Sequence, residues 1–241
     1  MRYLAFASRN RKELLRDPST LLVGIILPII IMGLFSMMQK NMPFELYSIE
    51  SLTPGVIVFS FSFITLFLGM LIGKDKSSSF LMRIFASPMS ASEYIIGYAL
   101  PHIPIAILQI IMSFILAFFL GLSFNVHVFG TIILLIIIAM LYVGFGLLFG
   151  TYFSDKQVGA IFAIFVNFTT WLSGTWFELD MIGGVFKTIG YTLPFVHAVE
   201  ATRHALAGEY VELVIPLLWV VGYTTIIFLI AIWGFKQKMK G

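Results

Sequence analysis

Residues 74–93 read KDKSSSFLMRIFASPMSASE, a polar-bounded segment between two long apolar runs. Phe80, Leu81, Ile84 and Phe85 recur at i, i+1, i+4 and i+5, which predicts one apolar stripe on a short helix. Ser77, Ser78 and Ser79 offer N-caps, Arg83 lies off the stripe, and Pro88 ends the helix. Such a stripe is unfavourable in water unless something covers it. A partner protein would bury it, and so would a membrane surface on which the helix lay flat. Periodicity does not separate the two.

The runs on either side decide the fold. The chain has 241 residues, 59% hydrophobic and 11% charged, whereas soluble domains carry roughly 25% charged residues. A helix needs about 20 apolar residues to cross the hydrocarbon layer. Runs at 19–39, 52–73, 94–120, 128–152, 158–177 and 211–235 therefore predict an all-α membrane protein with six transmembrane helices. With no repeat or low-complexity linker, residues 1–241 read as a single membrane domain with no room for a soluble catalytic one. The absence of cysteine excludes disulfides, thiolate metal sites and a cysteine nucleophile.

Residues 1–18 carry Arg2, Arg9 and Arg16 seven apart, with Lys12 between the last two and Leu4, Ala7, Leu14 and Leu15 largely on another face. This predicts an amphipathic interfacial helix with its cations toward lipid phosphate; a solvated basic tail is the other reading. Asp17-Pro18 supplies an N-cap and a first-turn proline for the first span, which Pro28 would loosen. A signal peptide competes for residues 1–38, but the apolar run exceeds 7–15 residues and no small-residue cleavage site follows. Residues 178–210 hold Glu178, Asp180, Lys187, Glu200, Arg203 and Glu209, each costing ~2.5–3.5 kcal/mol at a bilayer centre. They read as two short re-entrant helices, the second starting near Pro194 and ending at Gly208.

Lys and Arg fix the orientation. Even-numbered spans put twelve of the fifteen on the side of both termini, leaving Lys40, Lys187 and Arg203 opposite. The positive-inside rule then makes both termini cytoplasmic. A pI near 9.1 is thereby explained without nucleic acid.

Motifs for chemistry are sparse. The chain lacks the phosphate-binding GxxxxGK[ST] loop and HExxH, and Ser173-Gly174 lacks the GxSxG context of a serine hydrolase. His197, Glu200 and His204 share one helical face and could offer two imidazoles and a carboxylate. The preferred reading is an outward polar face with Glu200 pairing to Arg203 or His204 and no metal. No Asp or Glu lies deep in a span, where ion-coupled carriers usually keep one. His102, between Pro101 and Pro104, is expected to satisfy a carbonyl of the proline-broken helix. Asn167, Thr170, Trp171, Ser173 and Gly174 belong to a small-polar cluster suited to interhelical hydrogen bonds, a subunit interface or a path for amphiphiles.

The chain resembles the permease subunits of type-2 ABC transporters, a bacterial export family. The resemblance lies in Lys74-Asp75-Lys76, Ser77-Ser78, Leu81, Arg83, Ser87-Pro88-Met89, Glu93 and Gly97; in Ser173-Gly174; and in Leu193-Pro194, His197, Glu200, Arg203 and Gly208. Ser78-Ser79 stand where the family often has Gly-Thr, and no proline closely follows Ser173-Gly174. The resemblance implies a half-transporter in a bacterial cytoplasmic membrane, pairing through spans one and five with a second permease copy or a paralogue. Two copies of an ATPase subunit, which bind ATP and Mg, would dock below, so this chain is not itself an enzyme. Lys76, Phe80, Leu81, Arg83, Ile84, Phe85 and Pro88 would form the ATPase-contacting coupling helix. Pro194, His197, Glu200, Arg203 and Gly208 would shape the outer gate. Aromatic and methionine-rich spans favour export of an amphiphile such as a drug, peptide antibiotic or lipid-like molecule. Polysaccharide or glycolipid export is the alternative, then a non-ABC carrier or an intramembrane enzyme.

Overall fold

A computed structural model describes residues 2–41, 47–78, 80, 83 and 87–239, without the side chains of 19–21. Its described elements are helical: α1 (Arg2–Leu15), α2 (Pro18–Gln39), α3 (Ile49–Ser60), α4 (Ser62–Ser77), α5 (Ala91–Ala99), α6 (His102–Phe119), α7 (His127–Tyr152), α8 (Asp155–Trp171), α9 (Leu179–Ile182), α10 (Gly184–Thr192), α11 (Pro194–Ala207) and α12 (Val214–Lys238). Among the described residues, five stretches are long and apolar enough to cross a membrane: Leu22–Gln39, Ile49–Ser77, Ala91–Phe119, His127–Tyr152 and Val214–Lys238. The fifth expected span corresponds to α8, which has only 17 residues, about 25 Å of rise.

Helix α8 stops at Trp171, short of the expected 177, because local side chains compete for the backbone. Ser173 Oγ accepts from the Thr175 N–H, and Gly174 adopts φ 68°, a conformation natural to glycine. The expected pair of outer helices is three, since Gly183 and Gly184 at positive φ separate α9 from α10. Pro194 opens α11 and Gly208 closes it in the left-handed conformation, both as the sequence predicts.

Helices α3 and α4 form the most enclosed of the five stretches. Helix α4 packs on α7 through small residues. Gly146 and Gly150 of α7 face Leu68 and Ile72 of α4, while Gly69 of α4 lies against Val158 and the Gly146 carbonyl, and Gly73 against the Ser154–Asp155 backbone. Thr65 Oγ1 donates to the Tyr142 carbonyl at 2.8 Å. A Cβ on Gly146 would lie 2.9 Å from Leu68 Cβ, and one on Gly150 would lie 2.6 Å from Ile72 Cβ. The two α7 glycines let α4 approach closely, and close packing of this kind drives helix association where no hydrophobic force separates helix from lipid.

A break interrupts this span at Phe61. The Ile64 N–H bonds to the Phe61 carbonyl, which leaves the Ser60 carbonyl without its i+4 donor. Pro28, inside α2, likewise leaves the Gly24 carbonyl without one. Gln109 of α6 donates Nε2 to both, at 2.8 Å to Gly24 and 3.2 Å to Ser60. One amide thus ties three spans together at two carbonyls that lack their helical donors. His102 Nδ1–H donates to the Tyr98 carbonyl at 3.0 Å, as expected beside the prolines.

Candidate functional site

Two polar clusters mark opposite ends of the bundle. At the basic end, α1 packs across α5. Phe6 stands edge-on to Tyr98 and Tyr94, at 4.8 and 5.8 Å between ring centres. Gly97 makes room for it: a Cβ there would lie 2.5 Å from the Phe6 ring. Pro101 has no N–H to offer the Gly97 carbonyl four residues back, and Asn10 Nδ2 donates to that carbonyl instead at 3.0 Å. Beside it, the Arg9 guanidinium forks onto both oxygens of Asp75 at 2.7 and 2.9 Å. Tyr98 Oη donates to the same carboxylate at 2.9 Å. Only 2% of the Asp75 side chain is exposed, so the carboxylate depends on these donors for its solvation. Lys74 bridges to Glu13 at 2.9 Å and holds the Glu13 carboxyl below its ordinary range, against a smaller opposing effect of burial.

These bonds fasten α1 to the end of α4 and to α5, which flank the 78–90 segment. Within that segment, Phe80 lies under the Arg9 guanidinium, 4.2 Å from cation to ring centre. Arg83 and Pro88 are exposed, and the Pro88 carbonyl accepts a long 3.5 Å bond from Arg2. Leu81, Ile84, Phe85 and Ser79 lie outside the described residues. Ser77 and Ser78 end α4, donating their hydroxyls back to the Lys74 and Asp75 carbonyls; most of the residues an N-cap there would serve lie outside the described ones. Two sequence expectations change here, at Lys76 and at Arg9. Lys76, expected to face a partner, turns inward and gives its ammonium to the carbonyls of Gly150, Thr151 and Phe153 at 2.9, 3.1 and 2.6 Å. Those carbonyls lack helical donors at the end of α7, and three bonds use all three ammonium hydrogens. On α1, Arg9 turns to Asp75 and not to lipid. The buried face is Phe6, Ala7, Asn10 and Leu14, while Leu4 and Leu15 are exposed.

At the opposite end, Arg203 of α11 reaches two other elements. Its Nη2 donates to the Gly174 carbonyl at 2.9 Å, and Nε and Nη2 share the Ser51 carbonyl at 3.4 and 3.5 Å. Arg203 therefore joins the bend after α8 to the first turn of α3. Burial lowers its pKa from the ordinary value, opposed by Glu178 and Glu200. Glu200 pairs with neither Arg203 nor His204, contrary to expectation. It accepts from Tyr191 Oη at 2.8 Å and faces His197 Nδ1 at 3.6 Å, a distance that makes an electrostatic contact and not a hydrogen bond. Burial pushes the Glu200 carboxyl up, but His197 and the Tyr191 hydroxyl outweigh it and leave the pKa below its ordinary value. His197 Nε2–H donates to the Tyr191 carbonyl at 2.9 Å and its ring stacks on Trp219. His204 turns away to Glu209 at 2.7 Å. Among the described residues, no three metal-ligating side chains converge.

The 167–174 cluster divides. Asn167 and Trp171 are exposed on the outer face of α8, where Asn167 Nδ2 bonds back to the Ala163 carbonyl at 2.7 Å. Thr170 is partly buried and bonds to the Val166 carbonyl, while Ser173 and Gly174 are buried beside Gly55 and Arg203. Sequence reasoning missed Asn10, Asp75 and Tyr98 as a unit. The one available signal was Pro101, which orphans the carbonyl that Asn10 takes.

Residues 1–207 match the family described as ABC-2 type transporter. The chain is similar to a protein named transport permease ycf38 of Pyropia yezoensis, 27% identical over 229 residues, covering 89% of this chain and 78% of that protein. Its counterpart of the same name in Porphyra purpurea is 26% identical over 231 residues, with the same coverage. ABC transporter G family member 20 of Dictyostelium discoideum is 28% identical over 202 residues, 80% of this chain but 27% of that much longer protein. A helical chain with several apolar membrane-length stretches, matched over most of its length, belongs to the ABC-2 type transporter family as a membrane permease component.

Proposed function

We propose that this chain is the membrane half of an ATP-driven exporter. In this reading α8 and the residues after it complete a sixth span, both termini lie in the cytoplasm of a bacterial cell, and two permease copies pair in the plasma membrane. Two copies of a separate ATPase subunit dock on the 78–90 segment. The names carried by the relatives, a transport permease and an ABC transporter, agree with this reading. The cargo is an amphiphile such as a drug, peptide antibiotic or lipid-like molecule, since the spans offer aromatic and aliphatic surface without a deep carboxylate.

The observation that carries the reading is the clamp of Arg9, Asn10, Asp75, Tyr98 and Gly97. A segment free to bend on its own would absorb a push from an ATPase. Here Asp75 and Gly97, either side of the segment, are bonded to one rigid helix, so displacement of the segment moves α1, α4 and α5 together. At the far end, Arg203 holds the first turn of α3 to the bend at Gly174, so movement of the α3–α4 span is felt at the outer helices. No nucleotide loop exists in the chain, and ATP and Mg belong to the partner. Arg83, exposed in the segment, gives the test. Arg83→Glu is expected to lower the transport-coupled ATPase rate of the assembled complex while leaving the amount of inserted permease unchanged. Equal loss of inserted protein and of ATPase rate would refute a coupling role.

A further inference from the structure

A groove of about 390 Å3 opens at the basic end, where the last turn of α1, the last turns of α4 and the start of α8 meet. Its wall is apolar on one side, formed by Phe67, Met70 and Leu71. Phe67 and Leu71 are buried from their far sides, but Met70 is 44% exposed. Among the described residues it is the only large apolar side chain of α3 and α4 with such exposure. The apolar surface of the most enclosed span is therefore opened at Met70, and Met70 lines this groove. From Phe67 to Lys74 the wall climbs seven residues, about 10 Å of helix, which is the depth of a lipid headgroup and the first part of its chain.

The rim is charged with both signs. Lys74 is bonded to Glu13, and an ammonium with one hydrogen so used keeps two for another acceptor. Arg16, Asp17 and Asp155 also line the groove; Arg16 acts through space on the Glu13 carboxylate, and Asp17 is engaged with a neighbour. Among the described residues the Arg16 and Asp155 side chains make no hydrogen bond or close salt bridge, to each other or to a neighbour. Opposite charges held apart over an apolar wall suit a molecule that carries both signs and a hydrocarbon chain. A purely anionic headgroup would meet the carboxylate of Asp155, and a purely cationic one would meet Arg16; either repulsion weakens binding.

We propose that this groove binds a zwitterionic amphiphile of the phosphatidylethanolamine type. Its phosphate lies between Arg16 and Lys74, its ammonium at Asp155, and its chain along Met70 and Phe67. The same chemistry is offered by a resident bilayer lipid and by a lipid-like cargo, so binding does not rest on the transport reading.

The test is native mass spectrometry of the full chain in detergent, titrated with phosphatidylethanolamine or phosphatidylglycerol, without any ATPase. Phosphatidylethanolamine is expected to be retained in preference. Arg16→Gln and Asp155→Asn should each lower its retention about tenfold, the loss of one charge-assisted contact, and Asp155→Asn should shift preference toward phosphatidylglycerol. Asp155→Glu, which keeps the charge at the start of α8, should restore the original order. Equal or better retention of phosphatidylglycerol by the unsubstituted chain overturns the proposal, as does unchanged retention in both charge-removing variants. A second arm separates the sources. With the ATPase partner in proteoliposomes, ATP-dependent movement of labelled phosphatidylethanolamine identifies cargo and its absence identifies a resident lipid. Both results accord with the binding site, and only the first bears on transport.

Discussion

Gly146→Ala tests the packing on which the whole bundle depends. The added methyl would sit 2.9 Å from Leu68 Cβ and 3.0 Å from the Thr65 carbonyl oxygen, against an optimal carbon–carbon separation of about 3.5–4.0 Å. Neither neighbour is the end of a flexible side chain, so α4 and α7 must part by several tenths of an ångström. Overpacking of this kind costs about 1–3 kcal/mol. Parting the helices also strains the 2.8 Å bond from Thr65 to the Tyr142 carbonyl, worth about 0.5–1.5 kcal/mol. Alanine returns about 1 kcal/mol of helix propensity. The net is a loss of about 2 kcal/mol, or ~4–8 °C in melting temperature for a chain of this size. Gly222→Ala on α12 is the control, because nothing lies within 4 Å of a Cβ there, and only the propensity gain remains. Thermal unfolding followed by tryptophan fluorescence in detergent reads both. A Gly146→Ala protein as stable as Gly222→Ala would refute the close α4–α7 approach.

Two further substitutions probe the ends of the bundle. Asp75→Asn replaces the bidentate acceptor of Arg9 and Tyr98 with an amide, and because about a third of the Arg9 side chain reaches solvent the cost falls below that of a fully buried broken pair, to ~2 kcal/mol. A double-mutant cycle with Arg9→Gln, read by thermal unfolding, should return a coupling of about 1–3 kcal/mol, and additive effects would dissolve the clamp. At the far end, the Glu200 carboxyl has its folded pKa below the ordinary 4.5. The unfolded chain therefore binds the proton first as pH falls, and this contribution is whole above about 4.5 and lost as pH drops through the folded value. Glu200→Gln should flatten that part of the acid-stability profile, measured as melting temperature against pH, and an unchanged profile would show that the Tyr191 and His197 contacts do not form.

Much of the architecture is legible in residue order. Apolar run length predicts six spans, five of which coincide with membrane-length stretches among the described residues, and Pro18, Pro194 and Gly208 place helix ends within a residue or two. The Gly146–Gly150 spacing was readable as a close helix seam and went unread. The break at Phe61 was not readable, since no proline or glycine announces it; serines that bond back to Ile57 and Phe59 accompany it. The sites divide in the same way. Arg203 and Gly174 stood out as separate motif positions, and only the fold makes one bond of them. Arg9 and Asp75 lie 66 residues apart, too far for any local spacing to pair them. Lys76 was misassigned because a basic residue at a helix end reads equally well as a docking charge and as a cap for a neighbouring helix.

The central claim is that the 78–90 segment meets an ATPase. The chain has no cysteine, so Arg83→Cys introduces a single thiol at an exposed position of that segment. With a co-expressed ATPase subunit and a short thiol-to-amine reagent, the account predicts a permease–ATPase crosslink, absent from Met181→Cys, which is also exposed but lies at the opposite end. No crosslink from residue 83 in a complex shown by co-purification to assemble would contradict it.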